Sequence, residues 1–249
     1  MKNTVLLCLH GWGGDHHSFD ELKIALGDSG ITVLAPDLPG FGSEPEPSRA
    51  WTTDDYVSWV TAYIQKHISG PYMLLGHSHG GRIAIKLLIN PQPTTRNPQP
   101  SHLFLCAAAG IRHPRHIKRI FGLTLAKTGK ILLRIPFLRT LQPIGKKLLY
   151  KLVRVHDYEK ASPIMRQTLI NVSREDLRPL LGKITVPTDI FWGEDDRMTP
   201  VGDAHIMHKA ITGSALHIFH GVRHRVHRDR AEDIAEVICK RFSAAQPSV

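Results

Sequence analysis

Short apolar runs alternate with segments of helical periodicity over most of the chain. Six mostly apolar runs of five or six residues, bounded by turn residues, predict buried strands. The runs lie at 4–9, 31–35, 71–75, 103–107, 188–192 and 215–219. Because such runs are typical of strands that are buried on both faces, the pattern favours a parallel sheet with right-handed helical crossovers.

Helices are predicted between these runs, where apolar positions recur every three or four residues. The helix at 199–210 is indicated by Thr199 as a cap and Pro200 in the first turn. Asp54 and Asp55 favour a helix that begins at Thr53. Further helices are predicted at 18–26, 82–89 and 231–242, and the last of these should pack on the sheet.

The alternation stops between residues 111 and 176, where helical patterns occur without a convincing strand. We interpret this stretch as a helical cap inserted above the carboxyl edge of the sheet. The predicted organisation is therefore a core of residues 1–110 and 177–249 and a cap of residues 111–176.

The charge of the chain is concentrated in one segment. The 249 residues are 42% hydrophobic, which is ordinary for a globular chain of this size, but the formal net charge is +10. Between residues 111 and 160, 13 basic residues stand against Asp157 and Glu159, so this segment carries +11 and the rest is close to neutral. The basic residues are Arg112, Arg115, Lys118, Arg119, Lys127, Lys130, Arg134, Arg139, Lys146, Lys147, Lys151, Arg154 and Lys160.

Apolar residues are interleaved with these basic ones, so the predicted cap is amphipathic. Such a cap could contact anionic lipid at a membrane surface or admit acidic substrates. We favour a cap whose apolar face covers a pocket while its basic side chains face water. Because no recognisable nucleic-acid-binding module accompanies the charge, nucleic acid is not a predicted partner. The oligomeric state is not predicted.

The cysteines and the amino terminus bear on the cellular compartment. Cys8, Cys106 and Cys239 are few, odd in number and widely spaced, which predicts reduced thiols rather than a disulfide framework. The apolar stretch at the amino terminus is too short for a signal peptide, and no apolar run is long enough for a transmembrane helix. We expect a cytoplasmic protein, peripheral to a membrane if the cap binds lipid.

The sequence GHSHGG at 76–81 carries the chemistry that is easiest to interpret. It follows a predicted strand and precedes a predicted helix, and this context places the serine of a G-x-S-x-G motif on a very tight turn. Glycines on both sides have a steric reason, since the turn leaves little room for side chains. Ser78 would then lie at the carboxyl end of a parallel strand, where open α/β sheets bind ligands.

Four motifs, taken in their order, resemble the α/β-hydrolase family. They are HGWGG at 10–14, DLPGFG at 37–42, GHSHGG at 76–81 and WGEDDRMTP at 192–200. The resemblance covers nearly all of the chain outside the cap. It implies an α/β-hydrolase fold, with a mainly parallel sheet of about six strands flanked by helices and a helical cap inserted after the fourth strand. Because the chain starts at the strand before HGWGG, we expect a shorter sheet than is common in the family.

The resemblance also implies a catalytic triad in the chain order serine, acid, histidine. Ser78 is the predicted nucleophile. Asp196 is the predicted acid, since its spacing from neighbouring glycine and proline residues matches the family, and Asp195 is the fallback. His224 is the predicted base, because it lies between the last strand and the last helix. An arginine precedes His224 where the family has glycine, which leaves His227 as a second candidate.

Backbone N–H groups are predicted to stabilise negative charge on the substrate oxygen. The donors would be those of His79, which follows the nucleophile, and Trp12, in the loop after the first strand. His10 is expected to stabilise that loop by hydrogen bonds rather than to transfer protons.

No cofactor is predicted. The pairs His113 with His116 and His205 with His208 have helical ligand spacing, but neither has a recognisable third ligand, so a metal is not expected. The glycine-rich loops lack the Walker lysine and the dinucleotide-binding pattern.

We therefore expect a serine hydrolase that cleaves small-molecule carboxylic esters through an acyl-enzyme at Ser78. Hydrolysis of a carbon–carbon bond by the same residues is the alternative among enzymes. A protein that binds a ligand or a lipid surface without turnover is the alternative from another class. Neither the natural substrate nor its acyl length follows from the sequence.

Overall fold

Residues 4–89, 99–113 and 161–244 are described by the structure, which is a computed structural model. The chain divides into two compact units, one of residues 1–112 and 167–249 and the other of residues 113–166. Most of the basic segment, residues 114–160, lies outside the described residues. The helical cap at 111–176 and its contact with lipid or acidic substrate therefore stay predictions.

Six parallel strands form one sheet within the described residues, in the order β2-β1-β3-β4-β5-β6. Each strand lies within two residues of its predicted position, and the predicted mainly parallel sheet of about six strands is confirmed. The strands are β1 (Thr4–Leu9), β2 (Ile31–Leu34), β3 (Tyr72–His77), β4 (His102–Cys106), β5 (Thr188–Gly193) and β6 (Ala215–Phe219).

Helices of the described residues follow the strands in alternation. Two segments were not predicted from the sequence, the short helix at Val226–Asp229 and the 3₁₀ turn at Arg178–Lys183. A further 3₁₀ turn, His16–Phe19, lies directly before the helix at Asp20–Leu26. The helices are α1 (Asp20–Leu26), α2 (Thr53–His67), α3 (His79–Ile89), α4 (Pro163–Arg174), α5 (Val201–Ala210), α6 (Val226–Asp229) and α7 (Ala231–Ala244).

The strand register aligns the carboxyl ends of the central strands. Leu9 at the end of β1 pairs with Gly76, and His77 at the end of β3 pairs with Cys106. All residues of β3, β4 and β5 are buried, as strands covered on both faces require. The chain order reverses between β1 and β3, and open α/β sheets bind ligands at such a point. The loops after β1 and β3 are therefore the first place to look for a site.

Helix α3 packs on the sheet at backbone-to-backbone distance. A Cβ atom added to Gly80 would lie 2.0 Å from the carbonyl oxygen of Leu9, and one added to Gly76 would lie 2.6 Å from the carbonyl oxygen of Gly80. Neither neighbour is a flexible side chain, so neither can move aside cheaply. The glycines of GHSHGG thus set how closely α3 approaches β1 and β3.

Gly80→Ala is expected to lower the free energy of unfolding by about 3 kcal/mol or more, because its methyl group has no space against β1. Gly202→Ala is the matched control, since a Cβ atom there meets nothing within 4 Å in helix α5. It should leave stability unchanged or raise it by up to about 1 kcal/mol. Urea denaturation of the two variants measures both effects, and equal stabilities would contradict the packing described here.

A buried ionic cluster lies towards the amino ends of β4, β5 and β6. The Asp189 side chain is fully buried, and its two carboxylate oxygens accept hydrogen bonds from His102 at 2.7 Å and His217 at 2.8 Å. The Arg241 guanidinium, on α7, donates to the same oxygens at 2.9 and 3.1 Å. Burial raises the pKa of Asp189, but these donors outweigh it and hold the pKa well below its ordinary value. The cluster thus ties three strands to the last helix.

Asp189→Asn is expected to lower the free energy of unfolding at pH 7 by about 3 kcal/mol, because three donors lose their charged acceptor. The folded-state pKa of Asp189 lies below the unfolded value of about 4. The wild type should therefore have a larger free energy of unfolding than Asp189→Asn above that pH. It should shrink as the pH falls from about 4 towards 2. Chemical denaturation across this range tests the trend. Exposed Asp28→Asn is the control and should change stability by less than about 0.5 kcal/mol.

Candidate active site

Ser78 occupies the tight turn between β3 and α3. Its φ of +51° is in the left-handed region, which costs a non-glycine residue about 1 to 3 kcal/mol. Three backbone hydrogen bonds hold this conformation. The Ser78 N–H donates to the carbonyl of Cys106 at 3.1 Å, and the Ser78 carbonyl accepts from Arg82 at 3.1 Å and from Ala109 at 2.8 Å. The turn is thus fixed to the end of β4, and Ser78 is partly exposed.

The chain after β4 is constrained in the same way. Ala107 has a φ of +45°, and its N–H donates to the carbonyl of Phe191 on β5 at 2.9 Å. Its own carbonyl oxygen lies 3.1 Å from the Thr199 hydroxyl. Hydrogen bonds therefore link the ends of β3, β4 and β5 in series, and they connect the turn at Ser78 to the loop that follows β5.

Asp196 lies in the loop after β5, and its side chain is fully buried. One carboxylate oxygen accepts from the N–H groups of Met198 at 2.7 Å and Thr199 at 3.1 Å. The other accepts from the Thr199 hydroxyl at 2.8 Å and from Nδ1 of His224 at 2.7 Å. Burial raises the pKa of Asp196, but the hydrogen bonds of His224 and Thr199 outweigh it and lower the pKa below its ordinary value. The carboxylate is thus held ionised against one imidazole.

The predicted acid and base have different surroundings from their alternatives. His224, whose side chain is 13% exposed, contacts Asp196, whereas Asp195 is exposed. His227 is buried on α6 and packs against His77, with ring centroids 3.8 Å apart. Burial lowers the pKa of His227 to about 3, so its imidazole is neutral.

Thr199 has a different role from the one predicted. The sequence indicates Thr199 as the cap of a helix at 199–210, but α5 begins at Val201 and no side chain caps it. The Thr199 hydroxyl instead lies within reach of Asp196, the Ala107 carbonyl and His224 Nδ1, the last at 3.3 Å. Because a buried carboxylate needs several donors, the hydroxyl is engaged by Asp196 and not by the first turn of α5, which begins two residues later.

His77 was not predicted as part of the site. It is the last residue of β3 and is buried directly before Ser78. Its Nε2 lies 3.0 Å from the carbonyl oxygen of His224, and the two ring centroids are 4.9 Å apart. This contact brings the Asp196–His224 pair next to the turn that carries Ser78. No local sequence pattern indicates it.

The loop after β1 passes beside Ser78. A Cβ atom added to Gly11 would lie 3.2 Å from Cβ of Ser78 and 2.8 Å from Nδ1 of His77, so only glycine fits there. The indole of the next residue, Trp12, forms a T-shaped contact with the ring of His79, with centroids 5.4 Å apart. As the first residue of α3, His79 has an N–H without a partner inside the helix. His79 directly follows Ser78, and Trp12 follows the glycine that packs against Ser78, while their role as oxyanion-hole donors stays a prediction.

His10 and Asp37 hold this loop in place. The Nε2 of buried His10 accepts from the N–H of Leu38 at 2.9 Å, so Nδ1 carries the proton and donates to the Gly11 carbonyl at 2.8 Å. Asp37 accepts from the backbone N–H groups of His16 at 2.7 Å and Ser43 at 2.8 Å. These contacts explain the motifs at 10–14 and 37–42 as a scaffold for the loop beside Ser78, and they supply the hydrogen bonds expected of His10.

The described residues contain no group of three or more His, Cys, Asp and Glu side chains that could hold a metal ion. His116, one member of the predicted pairs, lies outside them. No helix in the described ranges is both long and apolar enough to cross a membrane.

A carboxylate paired with an imidazole beside a serine is the arrangement that can activate a hydroxyl as a nucleophile.

Comparison with known proteins identifies the family of the chain. Residues 6–237 match the model of the alpha/beta hydrolase family, and the chain belongs to this family. Among curated proteins, it is 28% identical to the pimeloyl-[acyl-carrier protein] methyl ester esterase of Neisseria meningitidis serogroup B, over 94% of this chain and 90% of that protein.

Solved structures of hydrolases share the fold. An esterase from Exiguobacterium antarcticum superposes with a TM-score of 0.72 at 26% identity, covering 96% of this chain and 92% of the esterase. A meta-cleavage product hydrolase from Pseudomonas fluorescens IP01 gives a TM-score of 0.69 at 19% identity, covering 98% and 92%, and shows likeness of fold alone. The chain is thus an α/β-hydrolase with esterases among its relatives.

Proposed function

We propose that the protein is a serine hydrolase that cleaves carboxylic esters, with Ser78 as nucleophile, His224 as base and Asp196 as the orienting acid. The observation that carries the proposal is the 2.7 Å contact between Asp196 and Nδ1 of His224, in a loop hydrogen-bonded to the residue before Ser78. The esterase relatives support an ester as the bond that is cleaved.

The contact with Asp196 fixes the tautomer of the base. An ionised carboxylate only accepts hydrogen bonds, so Nδ1 of His224 carries the proton. The lone pair of the neutral ring is then on Nε2, the nitrogen that takes the proton of the Ser78 hydroxyl. As the imidazolium forms, the buried Asp196 charge stabilises it. The acid thus orients the base and offsets its charge without accepting the proton.

The reaction would follow in two steps. Ser78 Oγ attacks the ester carbonyl, its proton passes to His224, and the alcohol leaves with that proton, which forms the acyl-enzyme. Water then loses a proton to His224 and attacks the acyl carbon, and Ser78 recovers its hydrogen as the acid departs. The N–H groups of Trp12 and His79 would donate to the oxygen that becomes negative in both steps.

We also propose a cytoplasmic location and a small-molecule ester or acyl substrate without a cofactor. Cys8, Cys106 and Cys239 are unpaired, which is compatible with a reducing compartment. The relative from Neisseria meningitidis is a methyl ester esterase, and its likeness over 94% of the chain supports a substrate of the ester class.

The wild-type protein is expected to hydrolyse p-nitrophenyl esters, with a chain-length preference, and to be labelled at Ser78 by a fluorophosphonate. Ser78→Ala should abolish labelling and lower kcat by about 10⁴-fold or more, because the nucleophile is lost. Ser58→Ala is the control for mass spectrometry of the labelled peptide, since Ser58 is exposed on helix α2. Its labelling at Ser78 should persist.

Two results would contradict the proposal in different ways. A wild-type protein that neither cleaves any ester nor reacts with the fluorophosphonate would overturn serine hydrolase chemistry and favour a binding protein. Labelling at Ser78 without cleavage of any ester in the panel would overturn the ester assignment alone. Carbon–carbon bond hydrolysis of a ring-cleavage product would then be the function to test.

His224→Gln should lower kcat on these esters by about 10³-fold or more, whereas His227→Gln should change kcat by less than about tenfold. The reason is that His224 contacts Asp196, whereas His227 packs against His77 and forms no hydrogen bond with Asp196 within the described residues. Asp196→Asn and Asp195→Asn form a second pair. The first should lower kcat much more than the second, because Asp195 is exposed. Steady-state kinetics at a temperature where every variant is folded makes the comparison, and a larger loss in His227→Gln would reassign the base.

A further inference from the structure

His77 lies between the nucleophile turn and the loop of the proposed base. It belongs to β3, the neighbouring residue is Ser78, and its side chain is buried. Its Nε2 lies 3.0 Å from the carbonyl oxygen of His224. The two residues are 147 positions apart in the chain, so this contact joins two distant segments of the fold. It does so at the point where their relative position decides whether the base can reach Ser78.

The contact determines the tautomer of His77. A backbone carbonyl only accepts hydrogen bonds, so Nε2 of His77 must carry a proton and donate it. Burial, and after it the nearby His227 and His224, lower the pKa of His77 well below its ordinary value, so the ring is neutral and Nδ1 is unprotonated. His77 is therefore a hydrogen-bond donor to the base loop throughout the neutral pH range.

The ring of His77 has little freedom to rotate. One side lies against the ring of His227, with centroids 3.8 Å apart, and His227 in turn contacts Phe19 at 5.4 Å. On the side of Nδ1, the backbone of Gly11 in the loop after β1 passes so close to the ring that a Cβ atom added there would lie 2.8 Å from Nδ1. The donor is thus held in one orientation by its packing.

The loop that receives this hydrogen bond has a second attachment two residues earlier. The carbonyl of Val222 accepts from the N–H of Asp195 at 2.9 Å, which ties the base loop to the acid loop. Arg223 and Arg225, the residues directly before and after His224, are exposed. The contact with Asp195 positions the base loop relative to the acid, and the contact with His77 positions it relative to the nucleophile.

We propose that His77 is a positioning residue whose Nε2–H holds the backbone of His224 so that its imidazole stays within reach of Ser78. This inference rests on the proposed function of Ser78 and His224. His77 exchanges no proton with the substrate. Its effect comes through the geometry of the base, where a misplacement of about 1 Å can cost about 10²-fold in rate.

Three substitutions separate the donor from the ring. His77→Phe keeps a buried ring and removes the donor, and it should lower kcat by about 30-fold to 100-fold with KM changed by less than about threefold. His77→Gln places an amide N–H near the position of Nε2 and should restore kcat to within about fivefold of wild type. His77→Asn is the matched control, because its amide is one methylene shorter and reaches only the position of Nδ1. It should behave like His77→Phe.

The measurements are kcat and KM on a p-nitrophenyl ester and the second-order rate of Ser78 labelling by a fluorophosphonate. The labelling rate should fall in parallel with kcat in His77→Phe and His77→Asn, since both depend on His224 as base. Thermal unfolding of each variant sets a temperature at which all are folded. If His77→Phe does not fold, the comparison of His77→Gln with His77→Asn carries the test.

The outcomes distinguish this inference from the proposed function. If the wild type is not labelled at Ser78, the proposed function fails and this inference fails with it. If the wild type is labelled and His77→Phe has the same kcat and labelling rate, only the positioning role is overturned. Equal losses in His77→Gln and His77→Phe would also overturn it, because the ring and not the donor would then be what matters.

Discussion

The left-handed backbone of Ser78 is the constraint on which the rest of the site depends. A residue at φ +51° is unfavourable unless its surroundings enforce it. Here Cys106 at the end of β4, Ala109 after it and Arg82 in α3 do so through hydrogen bonds with the N–H and carbonyl groups of Ser78. The close approach of α3 to β1 at Gly80 restricts the turn further, because the helix begins immediately after Ser78. The sheet thus holds the hydroxyl in place with backbone groups, which side-chain variation in the surroundings does not alter.

Asp196 illustrates how one buried charge organises several segments. A carboxylate without water needs donors for both oxygens, and it obtains them from two backbone N–H groups, the Thr199 hydroxyl and His224. Because the Thr199 hydroxyl also lies 3.1 Å from the Ala107 carbonyl, the acid is connected to the chain that follows β4. The position of His224, the proposed base, is therefore specified from two sides, by the loop of Asp196 and by His77 at the end of β3.

Much of this architecture could be predicted from local sequence patterns. The apolar runs located all six strands of the described sheet to within two residues, since burial on both faces leaves a continuous hydrophobic signature. The contacts that could not be predicted join distant residues. The Thr199 hydroxyl contacts the carbonyl of Ala107, 92 positions away in the chain, and His77 contacts the carbonyl of His224, 147 positions away. Both carbonyls are backbone groups, which any residue provides. No local pattern can indicate a contact of that kind.

The histidines near Ser78 show why residue type alone could not assign the base. His10, His77, His79 and His227 are all buried, and burial lowers the pKa of each, to about 3 for His79 and His227. Such rings are neutral and act as fixed donors, acceptors or packing surfaces. His224 differs from them because its Nδ1 contacts a buried carboxylate, which stabilises the imidazolium when a proton arrives. His224, the proposed base, is therefore distinguished from the other imidazoles by its contact with Asp196, and the neutral ring of His77 contacts its backbone.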